Sequence, residues 1–157
     1  MQLAFSKHKK DDDLVAMIDA FTAREQLDGY SCENCKGKFN VKIANSDCYK
    51  QVQFVRLPNI LVVHLKRFEY DIEEKGVKID NNVTVPQLLS MEKYLVRGVK
   101  EDGNYQLCGV VEHTGELDYG HYTATCRNPI NGKWYGFNDS TVTENTSLLS
   151  GRAEFTS

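Results

Sequence analysis

Apolar and polar positions recur with different periods in the two halves of this chain. Leu14, Val15, Met17, Ile18 and Phe21 fall near helical spacing, and Asp11, Asp12 and Asp13 stand just before them, where a helix dipole favours carboxylates. A helix is predicted over residues 12–25, stopped by Leu27-Asp28-Gly29, after which Cys32 and Cys35 fall in a tight turn or knuckle. From Val41 the pattern becomes that of strands. Val52, Phe54, Val55 and Leu57 lead into Pro58-Asn59, and Ile60-Leu61-Val62-Val63-His64-Leu65 follows without a glycine. A β-branched run of this kind predicts a central strand buried on both faces, with His64 as a hydrogen-bonded core histidine.

Residues 71–82 are polar around Gly76 and predict an exposed hairpin or loop, while 86–94 suits a short helix or an irregular crossing segment. Strand signals return over 105–113, 121–127 and 133–137. The last two are joined by Asn128-Pro129-Ile130-Asn131-Gly132, a hairpin connection. Beyond Val142 the chain is polar and little order is expected. The fold class is therefore α+β, with an antiparallel sheet carrying the C-terminal half.

Composition narrows the function classes. The 157 residues make one domain. Nineteen Lys and Arg against 22 Asp and Glu leave a net charge of −3, without the basic excess that phosphate backbones attract, so no nucleic-acid partner is expected. The uncharged, mostly apolar stretch 57–65 has nine residues, against the ~20 of a spanning helix, so no membrane partner is expected. Only Leu3, Ala4 and Phe5 precede the charges at Lys7, Lys9 and Lys10, which is no signal-peptide core, and a cytoplasmic or nuclear location follows. Five cysteines, two of them in a Cys-x-x-Cys, suit reduced thiols or a metal site better than a disulfide framework.

Candidate chemistry centres on His121. If the turn at 128–132 pairs Arg127 with Lys133, His121 comes opposite Asp139 and beside Asn138, within reach of either polar group. A one-residue slip exchanges the two. A histidine with an orienting amide or carboxylate is half of a nucleophilic triad. Gly115 and Gly120 flank the preceding loop, His113-Thr114-Gly115-Glu116-Leu117-Asp118-Tyr119-Gly120, and let a backbone or a substrate approach closely.

No cysteine serves that histidine. Cys126 is five residues from His121, roughly 16 Å along a strand and on its other face. Pairing His113 with His121 sets Cys108 opposite Cys126, which predicts two small core thiols. Cys48 is expected at or near the surface. Cys32 and Cys35 have the spacing of a zinc knuckle, half of a tetrahedral site, with Cys48 or His8 as improvised further ligands.

These segments resemble the C-terminal part of the catalytic domain of the ubiquitin-specific proteases. Leu57-Pro58-Asn59-Ile60-Leu61-Val62-Val63-His64-Leu65-Lys66-Arg67-Phe68 resembles that family's core strand, and Tyr105-Gln106-Leu107-Cys108-Gly109-Val110-Val111-Glu112-His113 with Gly120-His121-Tyr122-Thr123-Ala124 its histidine box. Trp134-Tyr135-Gly136-Phe137-Asn138-Asp139-Ser140-Thr141-Val142 resembles the box of the third triad member, and 21–35 the approach to a zinc knuckle. The resemblance covers about 14–143.

It implies a papain-like cysteine peptidase fold with an antiparallel-sheet palm and part of the fingers. The implied activity is thiol-dependent isopeptide hydrolysis after the C-terminal glycine of ubiquitin, with ubiquitin or ubiquitinated proteins as partners. His121 would be the general base, Asn138 its orienting residue and Asp139 an adjacent polar support. His113, Thr114, Gly115, Tyr119, Gly120 and Tyr122 would meet the ubiquitin tail. No cofactor is implied for catalysis; a structural zinc on Cys32 and Cys35 is the one metal considered.

The family's cysteine box, with its oxyanion-stabilising side chain and the thumb it opens, has no counterpart here, since no Cys precedes Cys32. Nor does the first zinc-knuckle pair, and Glu154-Phe155-Thr156-Ser157 departs from the expected closing strand. The expectation is a partial catalytic domain, 1–157, cut at both ends and inactive alone. The rival readings are a catalytically inactive ubiquitin-binding or scaffold module and a small zinc-stabilised interaction domain.

Overall fold

Asp13 sets the start of the helix. In the computed structural model, which describes residues 1–5, 11–30, 46–70, 76–116, 118–145 and 152–155, its Oδ1 accepts from the Val15 amide at 2.9 Å and the Ala16 amide at 3.1 Å. Replacing Asp13 with Ala is expected to lower stability by about 1 kcal/mol, read as a lower urea midpoint at unchanged slope. The helix α1 (Leu14–Thr22) is shorter at both ends than the sequence predicts. Asp11–Asp13 are strand residues, and Asn81 Nδ2 donates to Asp12 Oδ2 at 2.8 Å. At the other end Ala23 turns extended, with ψ 147°.

In chain order the strands are β1 (Gln2–Leu3), β2 (Asp11–Asp13), β3 (Glu25–Tyr30), β4 (Ser46–Lys50), β5 (His64–Leu65), β6 (Phe68–Tyr70), β7 (Gly76–Lys78) and β8 (Asn82–Pro86). There follow β9 (Leu88–Ser90), a 3-10 turn (Glu92–Tyr94), β10 (Asn104–Gln106), β11 (Gly109–Gly115), β12 (Gly120–Arg127), β13 (Trp134–Asn138), β14 (Thr141–Asn145) and β15 (Arg152–Phe155). The antiparallel sheet β11-β12-β13-β14 carries the C-terminal half, and β15-β8-β2 lies against α1. Two-stranded pairs β1-β5, β3-β4, β6-β7 and β9-β10 complete the described structure.

The core forms where α1 meets these strands. Leu3, Phe5, Leu14, Met17, Ile18, Val83, Met91 and Tyr94 are buried in one cluster. Tyr94 Oη donates to Asp19 Oδ1 at 2.7 Å and Lys93 Nζ stands 2.6 Å from the same oxygen, which ties the helix to the 3-10 turn and holds the Asp19 carboxyl below its usual pKa.

The run 60–65 differs from its prediction. Only His64 and Leu65 are strand, paired in parallel with Gln2 and Leu3. Leu61, Val63 and Leu65 pack on the core, whereas Ile60 is 74% and Val62 68% exposed. His64 is exposed too. The apolar run is buried on one face because alternate side chains point opposite ways, and this chain covers only one of the two sides. Likewise 52–57 yields one bridge, Phe54 to Leu95, and not a full strand.

Of the polar segment, Gly76–Lys78 pairs antiparallel with Phe68–Tyr70 and Asn82–Pro86 joins the three-stranded sheet, while residues 71–75 lie outside the described residues. The segment 86–94 becomes β9 and the 3-10 turn, and 105–113 divides between two sheets at Leu107 and Cys108. The order beyond Val142 is a correction. Thr141–Asn145 pairs with β13, and Arg152–Phe155 closes antiparallel on β8, so backbone pairing supplies what apolar pattern does not. Cys32 and Cys35, with His8, lie outside the described residues.

Candidate active site

Two ladders position the histidine. Gly109–Gly115 pairs with β12 so that Thr114 faces His121 and His113 faces Tyr122, and β12 pairs with β13 so that Arg127 faces Trp134. Both registers are one residue away from those expected. In the second, Asn128 Oδ1 accepts from the Ile130 amide at 2.8 Å, Gly132 adopts φ 70°, and the Asn128 amide donates to Lys133 O at 2.8 Å. The turn therefore closes on the pair Asn128 and Lys133, leaving Arg127 to Trp134.

The slip decides which polar residue meets the imidazole. Continued along the ladder, it sets Asn138 against Thr123, so Asn138 and His121 are diagonal neighbours on one face. Their side chains meet, with His121 Nε2 at 2.6 Å from Asn138 Oδ1. An amide oxygen only accepts, so Nε2 carries the proton and donates. The other nitrogen, Nδ1, is then left with a lone pair able to take a proton. Both side chains are exposed. Asp139 does not oppose His121, as the expected register had it; it occupies the turn to β14 with φ 49°, a conformation Asp tolerates.

The loop residues divide between two faces. Thr114 shares the His121 side, and its Oγ1 donates to His121 O at 3.4 Å. His113 and Tyr122, cross-strand partners, lie on the far face, their ring centroids 4.6 Å apart. Gly115 and Gly120 close the hairpin. Gly115 adopts φ 109°, and a Cβ there would lie 2.7 Å from Gly120 Cα and from Tyr119 O. Tyr119 is exposed, and the Glu116 amide donates to Tyr119 O at 2.8 Å.

Sequence pattern did not single out the groups beneath this hairpin. Glu112, half-buried on the His121 side, has its pKa raised by burial, against the opposing pull of the Arg67 guanidinium. Arg67, its own pKa lowered by burial, donates from Nη1 to Ile79 O and Asn81 O, both at 2.9 Å. Phe68 meets the His113 ring edge-on at 5.8 Å. Arg67 and Phe68 end the segment 57–68, and only the tertiary fold brings them against β11.

Among the described residues the thiols lie elsewhere. Cys108 is opposite Arg127 rather than Cys126, as the Arg127 amide donates to Cys108 O at 2.8 Å. Cys126 faces Gly109. The expected core pair of Cys108 and Cys126 is thus overturned: consecutive register positions point to opposite faces, and Cys108 is exposed. Cys48 sits in β4, half-buried and opposite Leu27. The described residues hold no group of three or more His, Cys, Asp or Glu able to bind a metal, and no helix among them is long and apolar enough to cross a membrane.

Comparison with known proteins bears on this arrangement. The family model described as ubiquitin carboxyl-terminal hydrolase matches residues 3–155. Among solved structures, the chain is similar to the SAGA Ubp8/Sgf11/Sus1/Sgf73 DUB module bound to ubiquitin aldehyde, at 34% identity and TM-score 0.74, over 93% of this chain and 32% of that one. It is similar to a SAGA DUB module bound to monoubiquitin, at 34% identity and TM-score 0.75, over 93% and 31%. A yeast SAGA DUB module with a substituted Sgf73 matches at 35% identity and TM-score 0.74, again over 93% and 31%. The chain thus spans about a third of the length of the chains it matches.

Proposed function

Since the chain belongs to the ubiquitin carboxyl-terminal hydrolase family, we propose that it supplies the general base and its orienting residue to a thiol-dependent deubiquitinase whose nucleophilic cysteine lies outside these 157 residues. The observation that carries the reading is the bond from His121 Nε2 to Asn138 Oδ1. It holds the imidazole in the tautomer whose Nδ1 accepts a proton. A cysteine presented to Nδ1 loses its proton there, and the thiolate attacks the carbonyl of the C-terminal glycine of ubiquitin. The imidazolium returns the proton to the leaving lysine amine, and a water activated by the same nitrogen then hydrolyses the thioester. Asn138 stabilises the imidazolium in both halves of the cycle, and Asp139 shapes the turn that aims Asn138.

Ubiquitin is the proposed partner, supported by the ubiquitin-bound states of two similar DUB modules. Thr114, Gly115, Tyr119 and Gly120 are the proposed contacts on the approach to His121, with His113 and Tyr122 bracing that loop from the far face. The reaction needs no cofactor. A zinc on Cys32 and Cys35 would be structural, and a cytoplasmic or nuclear location belongs to the same proposal.

The test is hydrolysis of a fluorogenic ubiquitin C-terminal amide. The complete protein is expected to cleave it and to lose activity on treatment with iodoacetamide, while the isolated 157-residue chain is expected not to cleave it. Cleavage by the isolated chain would overturn the external nucleophile. Ubiquitin binding by a complete protein that cleaves nothing would make it a binding module instead.

A further inference from the structure

Lys78 ends β7 with a side chain only 8% exposed, although an ammonium is among the groups most costly to remove from water. Its Nζ donates to His113 O at 3.2 Å and to Gly115 O at 2.8 Å, and stands 3.4 Å from Asp80 Oδ1. Three donors thus meet three oxygens, two of them backbone atoms of the strand end that enters the loop before His121.

The same short ribbon touches that strand a second time. Phe68, paired with Lys78 across β6-β7, packs on the His113 ring. His113 in turn fills the space above Gly120, where a Cβ would fall on the imidazole and 2.5 Å from Thr114 O. Lys78, Phe68, His113, Gly115 and Gly120 therefore interlock, and the next residue is His121. We infer that Lys78 is a positioning residue that acts through this hairpin to hold the His121 imidazole against Asn138. The inference rests on the functional reading above for its purpose, and on the ammonium-to-carbonyl geometry for its existence.

The Lys78 ammonium works at one end of a loop closed by few bonds, so its removal frees the loop before it disturbs the sheet. In the complete protein, Lys78→Met is expected to speed amide exchange at Glu116 by at least tenfold and to leave Cys126 and Tyr135 as protected as before. The ring nitrogen shifts of His121 are expected to move from the Nε2–H tautomer towards the mixture of a free imidazole. A role confined to stability would not produce that tautomer signal. Turnover of the ubiquitin amide is expected to fall about tenfold with KM nearly unchanged.

Unchanged exchange and unchanged His121 shifts in a folded variant would overturn the proposal. Should Lys78→Met not fold, Lys78→Gln is read by the same criteria, and uniform loss of protection from β11 to β14 in both would make Lys78 a fold residue and likewise overturn it. Exchange and tautomer need no turnover, so a complete protein that hydrolyses no ubiquitin amide would remove the proposed function without touching this result.

Discussion

Replacing His121 with Ala in the complete protein is expected to lower kcat for ubiquitin-amide hydrolysis by about 10³-fold, the middle of the range for losing a general acid and base. KM is expected to change little, because the imidazole works on the reacting atoms and offers no large binding surface. The rate of alkylation of the catalytic thiol at neutral pH should fall as well, since the imidazole no longer takes its proton. Asn138→Ala is expected to cost less, because the base survives and loses only its orientation. Asn138→Asp should keep most of the activity, as a carboxylate oxygen still accepts from Nε2. Retention of more than a tenth of the activity by His121→Ala would remove the histidine from the mechanism.

The second large effect is on stability. Ile18 is fully buried at the centre of the cluster with Leu3, Met17, Val83 and Met91. Ile18→Ala in the 157-residue chain is expected to destabilise it by about 3 kcal/mol, lost transfer energy plus the cavity left behind. For a domain with a total of about 5–15 kcal/mol this is a large fraction, visible as a fall in the urea midpoint. Ile60→Ala is the informative control. At 74% exposure it is expected to change stability in this chain by less than about 0.5 kcal/mol. Equal losses at the two positions would contradict the one-sided burial of 60–65.

How far the site could be read from sequence depends on the residue. His121 stood out because its neighbours Gly115 and Gly120 marked a loop and its strand ended in a hairpin signal. Strand pairing did not choose between Asn138 and Asp139, because the choice turns on one residue of register; the resemblance alone named Asn138. That residue is set by the Asn128 side-chain turn and the left-handed Gly132, which apolar alternation does not report. Lys78 left no signal, as an ordinary residue in a polar segment, and Phe68 entered only as the end of the core-strand resemblance; the significance of each lies in what packs over it.

The sequence by itself determined that α1 exists and that Leu14, Met17 and Ile18 face inward, although Phe21, read as part of the same face, is 39% exposed and Thr22 is buried in its stead. It determined the three strands around His121 and the hairpin at 128–132, because alternation and turn chemistry are local properties. Its resemblance to the ubiquitin-specific proteases is matched by the family comparison. Tertiary structure alone decided that 60–65 is covered on one side, that the polar residues after Val142 join β14 and β15, and the register by which His121 meets Asn138. The reason is the same in each case. A strand's partner, register and covered face are fixed by segments distant in the chain, and a one-residue shift that the local pattern scarcely registers turns every side chain to the opposite side.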